Sequence, residues 1–402
     1  MTAPLPPPTA DPSGAPVGDR SLGPAGWYAD PTRPNQWRWW DGRVWTTFVS
    51  TGVSTERPPR LPRWLSVPVL VTSPLAILLV GVIALTQPLS AVAGLVPLAI
   101  VLPALSWLDR IEPEPTSSRV HALLWGACVA VVVSIVVNTM VALAVGDVAA
   151  MVISAPLVEE ASKAAGILFA LRRRELDGVS DGIVYAGWIA LGFAVVEDMT
   201  YFSQASIDGT FVSVFVIRAL LTPFAHPLFT FWTGLAIGRA VQRGQRPVVG
   251  AAWGFALAVA THMIWNGALA LGEITPEVTD DVAIGVVLVT AALFVFLFVA
   301  VAIALARARR TELRRFEQMT PFLARHYRLS DAEASHFTDW AALLRARRSM
   351  PRRSRRSFDR VHAALARLAT VHARLNDVDP TVERVLRAQL DDARADLGRS
   401  VS

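Results

Sequence analysis

The chain has 402 residues, of which 53% are hydrophobic and only 18% charged, against about 25% charged in an average soluble domain. With a mean hydropathy of +0.41 this is the composition of a membrane protein, and the net charge of +5 comes from arginine at segment ends and in the C-terminal tail, a pattern that sets topology rather than binding nucleic acid. The single cysteine, Cys128, excludes an internal disulfide and any Cys-x-x-Cys metal site, and argues against thiol redox chemistry.

Residues 1–22 are rich in Pro, Ala and Gly and lack the charged and apolar regions of a signal peptide, so they read as a disordered leader. Residues 23–50 hold five of the thirteen tryptophans, and Asp41-Gly42 between WRWW and RVWTTF predicts a small Trp-rich β-hairpin module. This stretch resembles the short Trp-rich domain of unknown function, with its GWY-x-DP…WDG-x-WT pattern, that precedes membrane segments in many actinobacterial proteins. Residues 51–63 are a linker. From 64 to 306 come eight apolar runs long enough to cross a bilayer: 65–86, 88–108, 119–145, 150–171, 181–203, 211–241, 248–271 and 282–306. RPPRLPR, LDRIEPEPTSSR, LRRR, GRAVQRGQR and RARRTELRR flank one side of these runs, whereas TQP, VGDV, SQASIDG and GEITPEVTDD on the other side carry no Lys or Arg. The asymmetry predicts both termini in the cytoplasm. Residues 307–402 form an Arg-rich tail with helical periodicity in FDRVHAALARLATVHARLNDV and TVERVLRAQLDDARADL, expected as a soluble helical appendage. The segment RARRSMPRRSRR within it suits anionic lipid headgroups. The fold class is therefore an all-α polytopic membrane protein with about eight transmembrane helices, a small N-terminal β-hairpin module and a soluble helical tail.

Four of the runs contain ionisable groups that are costly at membrane depth, at least roughly 2.5–3.5 kcal/mol for a charge at a helix centre. Run four carries Glu159, Glu160 and Lys163, the last being the only lysine in the chain. Glu159 and Lys163 stand one turn apart on one face, with Glu160 alongside. Run five supplies Glu197 and Asp198, run six His226 between two prolines, and run seven His262 with Asn266 one turn on. Counted from the outer ends of their runs, Glu159, Glu160, Glu197 and His262 fall in one layer, roughly 9–13 Å deep at 1.5 Å per residue. His226 joins that layer only if run six is broken, with 211–221 near the interface and the span starting at Pro223; Arg218 sits badly in a continuous span and points to the same break. Each feature alone suits a structural hydrogen bond or ion pair. Four clusters at one depth do not. His121 and Asn138 in run three have no identifiable partner and are expected to be structural.

At these residues the sequence is similar to the PrsW family of intramembrane proteases, distant relatives of the CAAX prenyl endopeptidases and bacteriocin-processing enzymes. The family's motifs are Glu-Glu-x-x-Lys, Phe-x-x-x-Glu-Asn, a histidine followed by an apolar residue and Thr, and His-x-x-x-Asn. Here they read Glu159, Glu160 and Lys163; Phe193 and Glu197, with Asp198 in place of the Asn; His226 with Thr230; and His262 with Asn266. The resemblance implies an endopeptidase that cuts membrane-anchored proteins or peptides, such as anti-sigma factors, within the cell membrane of a bacterium. Its catalytic set would be Glu159, Glu160, Lys163, Glu197, His226, His262 and Asn266. Two chemistries fit. In the metal-free one, slightly preferred, a glutamate of the pair is the general base and His262 with Asn266 stabilises the oxyanion. In the other, His226, His262 and Glu197 bind Zn²⁺, which activates the water. The competing readings are a transporter or proton-relay protein that uses the same buried groups, and a scaffold whose Trp-rich module and tail recruit cytoplasmic partners.

Overall fold

The computed structural model describes residues 26–29, 37–40, 45–50, 65–109, 114–173, 175–176, 178–243, 245–274, 280–327, 329, 333–335, 340–373 and 380–401. The leader, the linker and the Asp41-Gly42 turn lie outside them. The chain divides into one unit spanning Pro59–Arg309 and another made of Met1–Pro58 with Arg310–Ser402.

In the second unit, β1 (Gly26–Ala29), β2 (Trp37–Trp40) and β3 (Trp45–Ser50) form an antiparallel sheet in the order β1-β2-β3. Gly26 lies opposite Trp40, and Trp37 opposite Ser50, with a register shift between Arg38 and Trp40. The single hairpin expected there is corrected to three strands, because GWYA supplies a further run of backbone partners. In the tail, helices Arg355–Ala373 and Pro380–Val401 pack on each other. Phe358, Leu365, Leu368, Leu390 and Ala393 are buried. The Arg360–Asp396 pair at 2.6 Å is exposed and so adds little stability.

Every regular element described in the Pro59–Arg309 unit is a helix. The unit comprises α1 (Val67–Thr86), α2 (Pro88–Ala93), α3 (Val96–Leu108), α4 (Thr116–Leu124), α5 (Val131–Val145), the short α6 (Asp147–Ala149), α7 (Ala155–Arg172), α8 (Val179–Ile207), α9 (Phe211–Phe215), α10 (Ala225–Gln242), α11 (Pro247–Ile274) and the start of α12 (Asp280–Tyr327). Three π-helical segments interrupt the ladder, at Trp125–Ala130, Ala150–Ser154 and Val216–Leu221; such bulges concentrate at functional sites. Gly146, at φ 107°, ends α5 in a conformation a side chain would resist. The long sixth run is broken at Thr222–Phe224 and resumes at Ala225, two residues beyond the proline expected to start it.

Helix α8 is the axle of the bundle. About 89% of its apolar window is buried, against 11–44% in the six other helices long and apolar enough to cross a membrane. Small residues set how closely its neighbours approach. A Cβ at Gly182 would strike the Gly234 carbonyl of α10, and one at Gly192 the Leu123 carbonyl of α4. The exposed side chains of the outer helices are large and apolar, among them Ile77, Leu85, Leu143, Val212 and Phe296, the surface a bilayer covers. Seven described helices therefore meet the length and composition of a span, rather than eight. Helix α7 is the difference, since Glu159, Glu160, Lys163 and Arg172 fall within its 18 residues.

Candidate active site

The expected polar residues come together at one end of the bundle, where α5, α8 and α11 run out and α7 and α10 begin. Glu159, Glu197, His226, His262 and Asn266 line a cavity of ≈ 430 Å³ whose walls include Val131, Ile135, Phe193 and Trp265, whereas Glu160 and Lys163 are buried outside that lining.

Lys163 Nζ has no exposure and donates to Glu160 Oε1 at 2.9 Å, to Glu159 Oε2 at 3.4 Å and to His226 Nδ1 at 3.0 Å. The ring of Phe193 lies 4.0 Å from it, a cation–π contact worth most when desolvated. The closer partner is thus Glu160 at i−3 rather than Glu159 at i−4.

The adjacent glutamates face different surroundings. Glu160 is fully buried and both its oxygens are engaged: Oε1 by Lys163 and by His262 Nδ1 at 3.3 Å, Oε2 by the Thr230 hydroxyl at 2.8 Å. Glu159 lines the cavity. Its contacts, with Lys163, with His226 Nδ1 at 3.9 Å and with His262 Nε2 at 3.9 Å, all run through Oε2.

Partner chemistry assigns the imidazole protons, because an ammonium only donates and a carboxylate only accepts. His226 gives Nε2–H to Glu197 Oε2 at 2.7 Å and turns its Nδ1 lone pair inward. His262 gives Nδ1–H to Glu160 and turns its Nε2 lone pair towards Glu159. The two histidines are held as opposite tautomers. Phe229 stacks on His262 with centroids 4.7 Å apart, and Phe193 meets His226 edge-on.

One donor atom each from Glu159, His226 and His262 lies within 4.8 Å of the others, and each imidazole is backed on its far nitrogen by a carboxylate, the usual support of a metal-ligating histidine. These residues fit a divalent metal. Glu197, expected as the third ligand, is instead committed through Oε2 to His226 and to Arg218.

Asn266 lines the cavity but spends one amide N–H on the Met151 carbonyl at 2.9 Å. Asn138, left without a partner in the sequence reading, also lines it and accepts from Ser154 at 2.8 Å. His121 keeps a structural role, bonded to Ser66 at 2.9 Å and stacked on Phe169.

Residues 114–315, about half of the chain, match the model of the PrsW family intramembrane metalloproteases. The chain belongs to the PrsW family. Among its PrsW relatives, Protease PrsW of Geobacillus kaustophilus is 28% identical over 151 residues, covering 37% of this chain and 65% of that protein. Protease PrsW of Clostridioides difficile is 28% identical over 155 residues, 36% and 65% of the two chains, and that of Oceanobacillus iheyensis 31% over 111 residues, 27% and 49%. The chain thus spans just under two thirds of the first two relatives. Residues 25–59 match a protein of unknown function family, DUF2510, and no solved structure matches the chain.

Beyond the residues of the PrsW motifs the structure adds Arg218, Tyr201 and Ser134 to the cavity lining. Arg218 announced itself only as a charge out of place in an apolar run. Tyr201 and Ser134, common in any membrane helix, gave no signal.

Proposed function

We propose that the chain is an intramembrane endopeptidase of bacterial cell membranes that hydrolyses peptide bonds of membrane-anchored proteins or peptides, anti-sigma-factor-like substrates among them, with Glu159 as general base. The observation that carries this reading is the difference between the paired glutamates. Glu160 has both oxygens bonded, whereas Glu159 lines the cavity with no partner at Oε1 among the described residues. That oxygen takes the proton of the attacking water, and Oε2 stays fixed by Lys163. The second N–H of Asn266, not used by Met151, donates to the carbonyl oxygen as negative charge builds on it. Apolar walls from α5, α8 and α11 exclude bulk water, which strengthens each of these interactions.

Glu159, His226 and His262 would hold a divalent ion, zinc by the character of the nitrogen and carboxylate donors. When bound, such an ion supplies Lewis-acid polarisation and a more acidic water at that spot. The protein's part is to turn the His262 Nε2 lone pair towards Glu159 and to hold the His226 Nδ1 lone pair between Lys163 and Glu159. The orientation that goes with this reading counts α7 as an eighth crossing beside the seven helices above and so puts both termini in the cytoplasm and the cavity in the outer layer; it is supported by the arginine distribution and by the site lying at the end of the bundle whose loops carry no Lys or Arg. The Trp-rich sheet and the helical tail then face the cytoplasm, available to protein partners.

Comparing membrane proteomes of a wild-type strain with one carrying Glu159→Gln tests the activity: an uncut membrane-anchored protein accumulates in the variant, and identical proteomes would overturn the reading. Elemental analysis of the purified chain decides the metal. Stoichiometric zinc, lost on chelation together with cleavage, is the expected outcome, and full cleavage by metal-free protein would remove the ion from the mechanism.

A further inference from the structure

Arg218 sits in the π-helical segment Val216–Leu221 between α9 and the break before α10. Its guanidinium spans neighbouring carboxylates of α8. Nε donates to Asp198 Oδ1 at 2.6 Å and Nη2 to Glu197 Oε2, and the cation lies 3.9 Å from the ring of Tyr201. The Glu197 oxygen that takes Nη2 is the one that accepts His226 Nε2–H. A chain of contacts therefore runs from Asp198 through Arg218 and Glu197 to the imidazole, whose other nitrogen faces Lys163 and Glu159.

We propose that Arg218 is a positioning residue that, matched with Asp198, holds Glu197 on His226 and so fixes the tautomer and orientation of that imidazole; this rests on the protease reading of the site. Charge explains the pairing. Arg218 facing Glu197 alone would cancel the carboxylate that His226 needs as its acceptor. Asp198 supplies a second negative charge, so the guanidinium is balanced and Glu197 keeps a full carboxylate for the imidazole. It stands where the family motif has Asn, and an amide there would give no such balance. Without Arg218, conversely, adjacent carboxylates on one helix would face each other with no cation between them, at 16% and 4% side-chain exposure for Glu197 and Asp198. Asp198 and Arg218 make sense only together. A planar fork serves two carboxylates in fixed directions, which an ammonium does not.

The test uses the full chain in lipid nanodiscs with a fluorogenic membrane-anchored peptide, and Glu159→Gln as the control for the protease reading. Arg218→Gln is expected to lower kcat about 10- to 100-fold, the usual effect of removing support behind a site histidine, with KM little changed. Asp198→Asn introduced into that variant is expected to restore about 10-fold, because it returns one carboxylate and one amide to the positions of the motif. Arg218→Lys is expected to recover only a small part. Independently of cleavage, [¹⁵N]histidine NMR, with the His226 signal assigned by its loss in His226→Gln, is expected to show a single Nε2–H tautomer in the wild type and a tautomer mixture in Arg218→Gln. Losses that add when the variants are combined, or a His226 signal unaltered by Arg218→Gln, would overturn the proposal. Wild-type protein that cleaves nothing would remove the protease reading, and the histidine signal would still decide the role of Arg218.

Discussion

Adjacent residues on a helix point about 100° apart, and that angle separates the roles of Glu159 and Glu160. Glu159→Gln is expected to reduce cleavage by about 10²–10⁴-fold, the usual contribution of a positioned general base, with the melting temperature nearly unchanged. Glu160→Gln is expected to act on stability instead. It strips the nearest counter-charge from Lys163, a cation with no exposure, and breaking a buried pair in this way costs about 3–5 kcal/mol. Thermal unfolding in detergent read beside activity distinguishes the variants, and a stable but inactive Glu160→Gln would reverse the assignment. The sequence made the pair conspicuous, because carboxylates stand out in an apolar run. It held no information on which of them faces the cavity, since that depends on how α7 is rotated against α10 and α11.

At the scale of elements, the site depends on how closely helices approach α8. Gly182→Leu or Gly234→Leu should force α8 and α10 apart, and the expected result is loss of the monodisperse species in size-exclusion chromatography. The π-helical segment Ala150–Ser154 is held by the side chains of Asn138 and Asn266. Replacing either with Ala should cost about 1 kcal/mol of stability, the net worth of one hydrogen bond, and should impair cleavage more than that figure implies, as the segment leads straight into α7. A chemical melt compared with the turnover rate checks this. The apolar runs, their order and the break near Pro223 were all legible, since each is a local pattern of hydropathy or proline. The grip of Asn138 on Ser154 and the seat of Arg218 against α8 were not, because those partners are 16 and 20 residues or more away along the chain and meet only through packing. The third strand at Gly26–Ala29 was missed for a similar reason: it pairs across a connection with no two-residue turn signal.

For the molecule as a whole, every cavity-lining residue falls between Val131 and Leu269, within the Pro59–Arg309 unit. Removing residues 1–58, none of which lines the cavity, is therefore expected to leave metal stoichiometry unchanged and, by the order of magnitude of independent effects, cleavage of a short detergent-soluble peptide within about 2-fold. A larger loss would mean that the Trp-rich sheet contributes to the core. Lys163, which binds this core together, is also the only side-chain amine the chain possesses. Amine-directed reagents consequently meet no reactive lysine on the folded surface, and a protease specific for lysine has no bond to cut until the bundle opens. Covalent tagging at this position thus gives a stopwatch for core opening in intact membranes, with a label located on the peptide that contains Lys163, and so told apart from one on the N-terminal amine, recording each molecule whose polar centre has come into contact with water.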